Sequence, residues 1–211
     1  MAGLGGHSHN DQLSFELSCG EQPLVVDPGA YLYTADPDAR NLFRSTALHS
    51  TMEIDSAEQN ELRRDFLFTL PDRTRSEACV WEASGDRALF EGRHHGYEVL
   101  DRPAVHTRRF ELDARSATVR LRDMVTSDGP HSLAWSFPLA PCSVRLVSGG
   151  AVADFPACRL EIECHETEFE VTESWLSPSY GVWVRAPLVR ARRKSRAGID
   201  VTDLRLRITN S

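Results

Sequence analysis

Apolar residues recur at every second position through most of this chain, and almost nowhere at the three-to-four spacing of a helix. Leu13, Phe15 and Leu17 alternate with Ser14, Glu16 and Ser18, and Val119 and Leu121 with Arg120 and Arg122. Leu160 and Ile162 alternate with Glu161 and Glu163, and Leu204, Leu206 and Ile208 with Arg205, Arg207 and Thr209. Val105, Thr107 and Arg109, then Val182, Val184 and Leu188-Val189, continue the trend. A period of two with β-branched and aromatic enrichment marks strands with one buried face. Turn signals punctuate the runs at Asp27-Pro28-Gly29, Ser84-Gly85-Asp86, Ser127-Asp128-Gly129-Pro130, Ser148-Gly149-Gly150 and Ser177-Pro178. Many short strands with frequent turns predict an all-β chain, a large antiparallel sandwich or a barrel. The expected exception is a short helical turn within Arg40–Ala47. With no repeat, low-complexity stretch or linker, one domain over residues 1–211 is the simplest organisation.

A chain of 211 residues buries roughly 70% of its unfolded surface and needs no metal or disulfide merely to fold. No apolar run approaches the roughly 20 residues of a membrane helix, so no membrane partner is expected. Lys plus Arg number 24 against 31 for Asp plus Glu, and the net charge of -7 argues against a nucleic-acid partner. It leaves a polyanionic sugar open, because recognition follows local charge; the basic run Arg190–Arg196 is read as a solvated strand and loop. Cys19, Cys79, Cys142, Cys158 and Cys164 contain no CxxC pair, which argues against a zinc-thiolate site and a disulfide framework. They are read as buried thiols, with Cys158 and Cys164 on one strand. Trp81, Trp135, Trp175 and Trp183 are read as core, with a sugar-stacking platform as the alternative for one of them. Met1–Gly6 lacks the basic and apolar regions of a signal peptide. The chemically richest segment starts at His7, so the chain is expected to be a piece of a longer protein.

That segment, His7-Ser-His9-Asn-Asp11-Gln-Leu13-Ser-Phe15-Glu-Leu17, is expected to form the first strand. His7, His9 and Asp11 would then share a face with Leu13, Phe15 and Leu17, leading from a polar mouth into the core. The next strand, Pro23–Val26, ends at Asp27, and a hairpin would return Asp27 beside the two histidines. Leu48-His49-Ser50-Thr51 is expected to open another strand. Two imidazoles and a carboxylate suit zinc with an open fourth position. Each element also has a bland reading: Asp27 as an ordinary turn residue and His49 as a hydrogen-bonded core histidine.

Three ordered stretches, GGHSHNDQLSFEL, LVVDPGAYLYT and RNLFRSTALHST, resemble the opening of the heparinase II/III-like C-terminal domain. The resemblance thins later, to His94-His95-Gly96-Tyr97, Val105-His106-Thr107-Arg108-Arg109 and Ser177-Pro178-Ser179-Tyr180-Gly181. It implies the antiparallel β-sandwich that follows an α/α toroid in lyases cleaving acidic polysaccharides such as heparan sulfate or alginate by β-elimination. That helical toroid is absent from this chain and would be its missing partner. Members of the family are usually periplasmic or secreted. The resemblance implies that His7 faces substrate as a catalytic residue, and that His9, Asp27 and His49 hold a mainly structural zinc. One departure is Ser50, where the family usually has Asn after the motif histidine.

Arg40 and Arg44 are candidates to meet substrate carboxylates, or equally to anchor their loop to backbone carbonyls. His94 is a substrate-binding candidate or a loop histidine. Asp11 is read as a hydrogen-bond partner to a metal-bound histidine. None of Tyr31, Tyr33, Tyr97 and Tyr180 matches the family's catalytic tyrosine, so the chain alone is expected to be inactive. The alternative function is a non-catalytic, zinc-stabilised carbohydrate-binding or structural module. A cupin-like metalloenzyme fits the HxH pair but not the three motifs. A homodimer is left open.

Overall fold

A computed structural model describes residues 5–210. The reading of Met1–Gly6 as free of a leader therefore falls largely outside the described residues.

The alternating runs become strands. β1 (Leu17–Cys19) and β2 (Gln22–Val25) form a small hairpin. A helix, α1 (Pro37–Phe43), and a 3₁₀ turn at Thr46–Leu48 lead into β3 (Met52–Ile54). Then follow β4 (Glu77–Ser84), β5 (Arg87–His94), β6 (Ala104–Asp113), β7 (Thr118–Ser127) and β8 (Ser132–Pro138). β9 (Ser143–Val147), β10 (Gly150–Asp154), β11 (Cys158–Glu163), β12 (Glu168–Ser179), β13 (Val182–Lys194) and β14 (Gly198–Asn210) complete the chain. An eight-stranded sheet runs β4-β5-β6-β7-β14-β11-β10-β9, and a four-stranded sheet runs β12-β13-β8-β3. The named pairs in both are antiparallel.

The sheets face each other across one core. β14 shows why: Thr202, Leu204 and Leu206 are buried while Asp203, Arg205 and Arg207 are exposed. Opposite them, Leu133, Trp135 and Phe137 of β8 and Val189 and Ala191 of β13 complete the apolar cluster. Each fully buried large side chain contributes about 1.5–3 kcal/mol. The helical turn is there for local reasons. Asp36 caps α1 by accepting from the Asp38 and Ala39 amides, and Pro37 supplies the first position without losing a hydrogen bond.

Several sequence expectations need correction. His7 to Glu16 do not form a strand; the ladder begins at Leu17. The backbone amides of this segment find other partners: Asn10 donates to Arg44 O, Gln12 to Gln59 Oε1 and Phe15 to Ser50 Oγ. Leu13 takes a left-handed φ of 60°, which breaks any extended run. His49 and Ser50 precede their strand, because the 3₁₀ turn occupies Thr46–Leu48 and β3 starts at Met52. Ser177-Pro178 lies inside β12 beside a register shift, and the reversal comes at Tyr180-Gly181. Trp135 is fully buried, but Trp81 and Trp183 are exposed and Trp175 is half-buried. Cys158 and Cys164 are buried, Cys19 and Cys142 are half-buried, and Cys79 is exposed. Cys164 follows the end of β11 rather than sharing it. In the basic run, Arg190, Arg192 and Arg193 are each ion-paired, with Glu53, Glu170 and Asp200.

Candidate metal centre

Residues 5–51 bring the three predicted ligands together. His9 lies in the irregular opening segment, Asp27 just beyond β2, and His49 just beyond the 3₁₀ turn. Their ligand atoms all lie within 4.8 Å of one another. His9 Nδ1 is 3.1 Å from His49 Nε2, and Asp27 Oδ2 is 3.4 Å from the same nitrogen. Tetrahedral zinc with bonds of about 2.0–2.1 Å spaces its ligand atoms about 3.3–3.4 Å apart. The donor set and these two spacings around His49 therefore fit zinc.

Neighbouring groups aim these ligands. His49 is buried, and its Nδ1 lies 2.7 Å from Ser45 O. A carbonyl only accepts, so Nδ1 carries the hydrogen and Nε2 offers its lone pair to the cluster. Asp27 Oδ1 accepts the Gly29 amide at 2.8 Å, which leaves Oδ2 for the cluster. Burial first, then the neighbouring His49, lower the His9 pKa to about 4, so this imidazole is neutral at ordinary pH. Burial pushes the half-buried Asp11 carboxyl up. Ser50, at the departure from the family pattern, is buried; its hydroxyl accepts the Phe15 amide and donates to Phe15 O. It ties the opening segment to the His49 segment, as a bridging pair of backbone groups would.

His7 is exposed. Its ring meets Tyr33 edge-on at 5.4 Å and Phe68 at 6.2 Å. Tyr33 stacks on Tyr180, 63% exposed, at 5.6 Å. Trp175 and Trp183 pack edge-on along the same β12–β13 hairpin. Tyr33, Phe68 and Tyr180 thus form an aromatic wall beside His7 that sequence reading missed, because its parts lie far apart in the chain.

Arg40 and Arg44 are both fully buried. Arg40 reaches His9 Nε2 and Gly6 O, each at 3.3 Å, and its guanidinium lies over the Tyr33 ring. Arg44 binds Asn41 Oδ1 and Leu67 O. Arg40 Nε and Arg44 Nη2 have no hydrogen-bond partner among the described residues. His94 lies inside the sheet with no exposed surface. The Gly96 amide donates to its Nδ1, and its Nε2 bonds His106 Nδ1, so both nitrogens are used internally. No substrate reaches it in this arrangement.

The described residues form an antiparallel sandwich that carries a His-Asp-His cluster of a kind that could hold a metal ion. Residues 1–201 match the model of the family described as heparinase II/III-like, C-terminal, and the chain belongs to that family. A heparan sulfate lyase, HepC, from Pedobacter heparinus superposes with a TM-score of 0.82 at 17% identity, covering 97% of this chain and 31% of that one. A heparinase III superposes at 0.78 with 16% identity, covering 97% of this chain and 30% of that one. At these identities the likeness shows the fold, and the chain spans about a third of those enzymes' length. Comparison with curated protein sequences gives no match.

Proposed function

We propose that this chain is the β-sandwich portion of a polysaccharide lyase that cleaves uronate-containing acidic glycans by β-elimination. The observation that carries the reading is the ligand cluster linked to exposed His7 through Arg40 and Tyr33, in a member of this family. In such an elimination a base takes the proton next to the uronate carboxylate. The electron pair forms a carbon–carbon double bond, and the glycosidic carbon–oxygen bond breaks as its oxygen takes a proton. Charge grows on the carboxylate side and needs a positioned donor. His7 supplies it, held against Tyr33 and Phe68.

His9, Asp27 and His49 hold a zinc ion, which when bound fixes the three segments against one another. The aromatic wall of Tyr33 and Tyr180 gives sugar rings an apolar face to stack on. On this reading the general base and the acid for the leaving oxygen come from a helical part outside these 211 residues, which by themselves bind glycan without cleaving it.

The test is calorimetric titration with heparan sulfate, alginate and a neutral glucan, with ultraviolet detection of unsaturated product. Saturable binding of an acidic glycan, weakened about tenfold or more in His7→Ala and in Tyr180→Ala, supports the reading; stacking and one charge-assisted contact are each worth about 1–2 kcal/mol. Equal binding of neutral and acidic glycans, or none at all, rejects it. Binding unaffected by His7→Ala would favour a carbohydrate-binding module without a catalytic face.

A further inference from the structure

A buried polar network lies under the candidate centre, built from the later motif His106-Thr107-Arg108. Arg108 of β6 and Asp123 of β7 stand opposite each other in the ladder, and both are 1% exposed. Arg108 Nε donates to Asp123 Oδ1 at 2.7 Å and Nη2 to Oδ2 at 2.9 Å. Asp123 also receives His106 Nε2 at 2.6 Å and, from the opposite sheet, Trp135 Nε1 at 2.8 Å. The carboxylate is thus fully satisfied by four donors. The two-pronged pairing holds the Arg108 guanidinium in place.

The remaining arm of Arg108 leaves the sheet. Nη1 donates to Leu13 O at 3.0 Å and to Ser50 O at 2.9 Å. These carbonyls belong to the two segments that carry the histidine ligands: Ser50 adjoins His49, and Leu13 lies four residues beyond His9. Leu13 is also the residue held at positive φ, a conformation an L side chain adopts only when its surroundings enforce it. The sheet leaves room for it, because a Cβ at Gly92 would meet Leu13 Cδ2 at 2.8 Å.

We propose that Arg108 is a positioning residue for the candidate metal centre: one guanidinium, locked by Asp123, fixes the spacing between the His9 and His49 segments before any metal arrives. The inference rests on reading His9, Asp27 and His49 as the metal site. A lysine cannot replace the fork, because a single ammonium cannot bond both Asp123 oxygens and both carbonyls.

The decisive variant is Arg108→Lys, which keeps the charge. In metal-free protein, hydrogen exchange should quicken at least about tenfold at Gln12, Ser14, Phe15 and Thr51 and stay near wild type in β7 and β14, as a local opening does. Zinc affinity, read by chelator competition, should fall by about 10–100-fold, the usual cost of losing a group that orients ligands. Bound cobalt should show altered ligand-field bands, which general destabilisation would not produce. Unchanged exchange in the two segments, or an equal rise everywhere, overturns the proposal. If wild type takes up neither metal, the metal reading fails, and the exchange pattern still decides the positioning role. Should Arg108→Lys not fold, the native protein answers: Arg108 side-chain hydrogens must exchange as slowly as core amides, and exchange as fast as at exposed Arg87 overturns the proposal.

Discussion

His9 Nδ1 and His49 Nε2 face each other at 3.1 Å, and the carbonyl of Ser45 decides which of them carries the hydrogen. His49 Nδ1 must donate to that carbonyl, so His49 Nε2 accepts and His9 Nδ1 donates. The protein thus closes its candidate centre with a hydrogen bond between the two imidazole nitrogens that would bind an ion. Elemental analysis of protein loaded with zinc should find about one zinc per chain, and His9→Ala, Asp27→Ala and His49→Ala should each lose it. Three protein ligands are the minimum for such a site. Full zinc content in Asp27→Ala would remove that carboxylate from the set.

Arg40 makes a second, less intuitive prediction. Its Nη1 points at His9 Nε2, the nitrogen that must hold the hydrogen once Nδ1 binds an ion. A donor facing a donor, and a cation beside a dication, both oppose loading. Arg40→Met should therefore bind zinc about tenfold more tightly, as removing a like charge worth on the order of 1–2 kcal/mol would give. Chelator competition measures it, and weaker binding would mean that Arg40 supports the site.

Gly29 is the backbone hinge of the Asp27 turn. It sits at φ 77°, and a Cβ there would come within 2.2 Å of Ser177 O. Gly29→Ala should lower stability by about 2–3 kcal/mol, the usual cost of a strained backbone with a clash. It should also weaken zinc binding, because the Gly29 amide holds Asp27 Oδ1. Thermal denaturation with and without zinc separates the two effects.

Acid should unfold this protein early. Burial lowers the His106 pKa and drives that of His94 well down, so both are neutral in the fold and free to protonate when unfolded. The unfolded chain then binds more protons below the ordinary histidine value of about 6.5, and stability falls as pH drops through it, by roughly 1.4 kcal/mol per pH unit for each histidine. Burial works to raise the Asp123 carboxyl, but Arg108 and His106 outweigh it and hold it well below the usual carboxylate range. Its contribution persists to lower pH, and is lost only below about 4 as the unfolded carboxylate protonates. Denaturant midpoints between pH 7 and pH 5 should show the slope, and His94→Gln should flatten it.

The β-sandwich was legible because alternation is a property of each strand alone: β7, β11 and β14 read directly from their alternating charged and apolar residues. The meeting of His9, Asp27 and His49 was legible from motif residues that stay in order along the chain. The opening segment misled because its alternation at Leu13, Phe15 and Leu17 is real, while its hydrogen-bond partners are side chains of Ser50 and Gln59 that no local pattern announces. Trp81 misled for a related reason. It lies on β4, the edge of the eight-stranded sheet, where alternation says nothing about whether a second sheet reaches far enough to cover it. His94, Asp123 and Arg108 meet only through strand register, which single residues do not encode.

The loop after Asp27 is sewn to the far end of the chain: the Ser177 amide donates to Pro28 O, the Tyr31 amide to Ser177 Oγ, and the Gly181 amide to Tyr31 O. Chain order and functional order therefore diverge. A protein cut before β12 would keep every proposed ligand and forfeit both the seam that holds Asp27 in place and the ring of Tyr180 beside His7. Grafting the opening motifs onto another sandwich would fail for the same reason, unless that scaffold brought its own version of the β12–β13 hairpin.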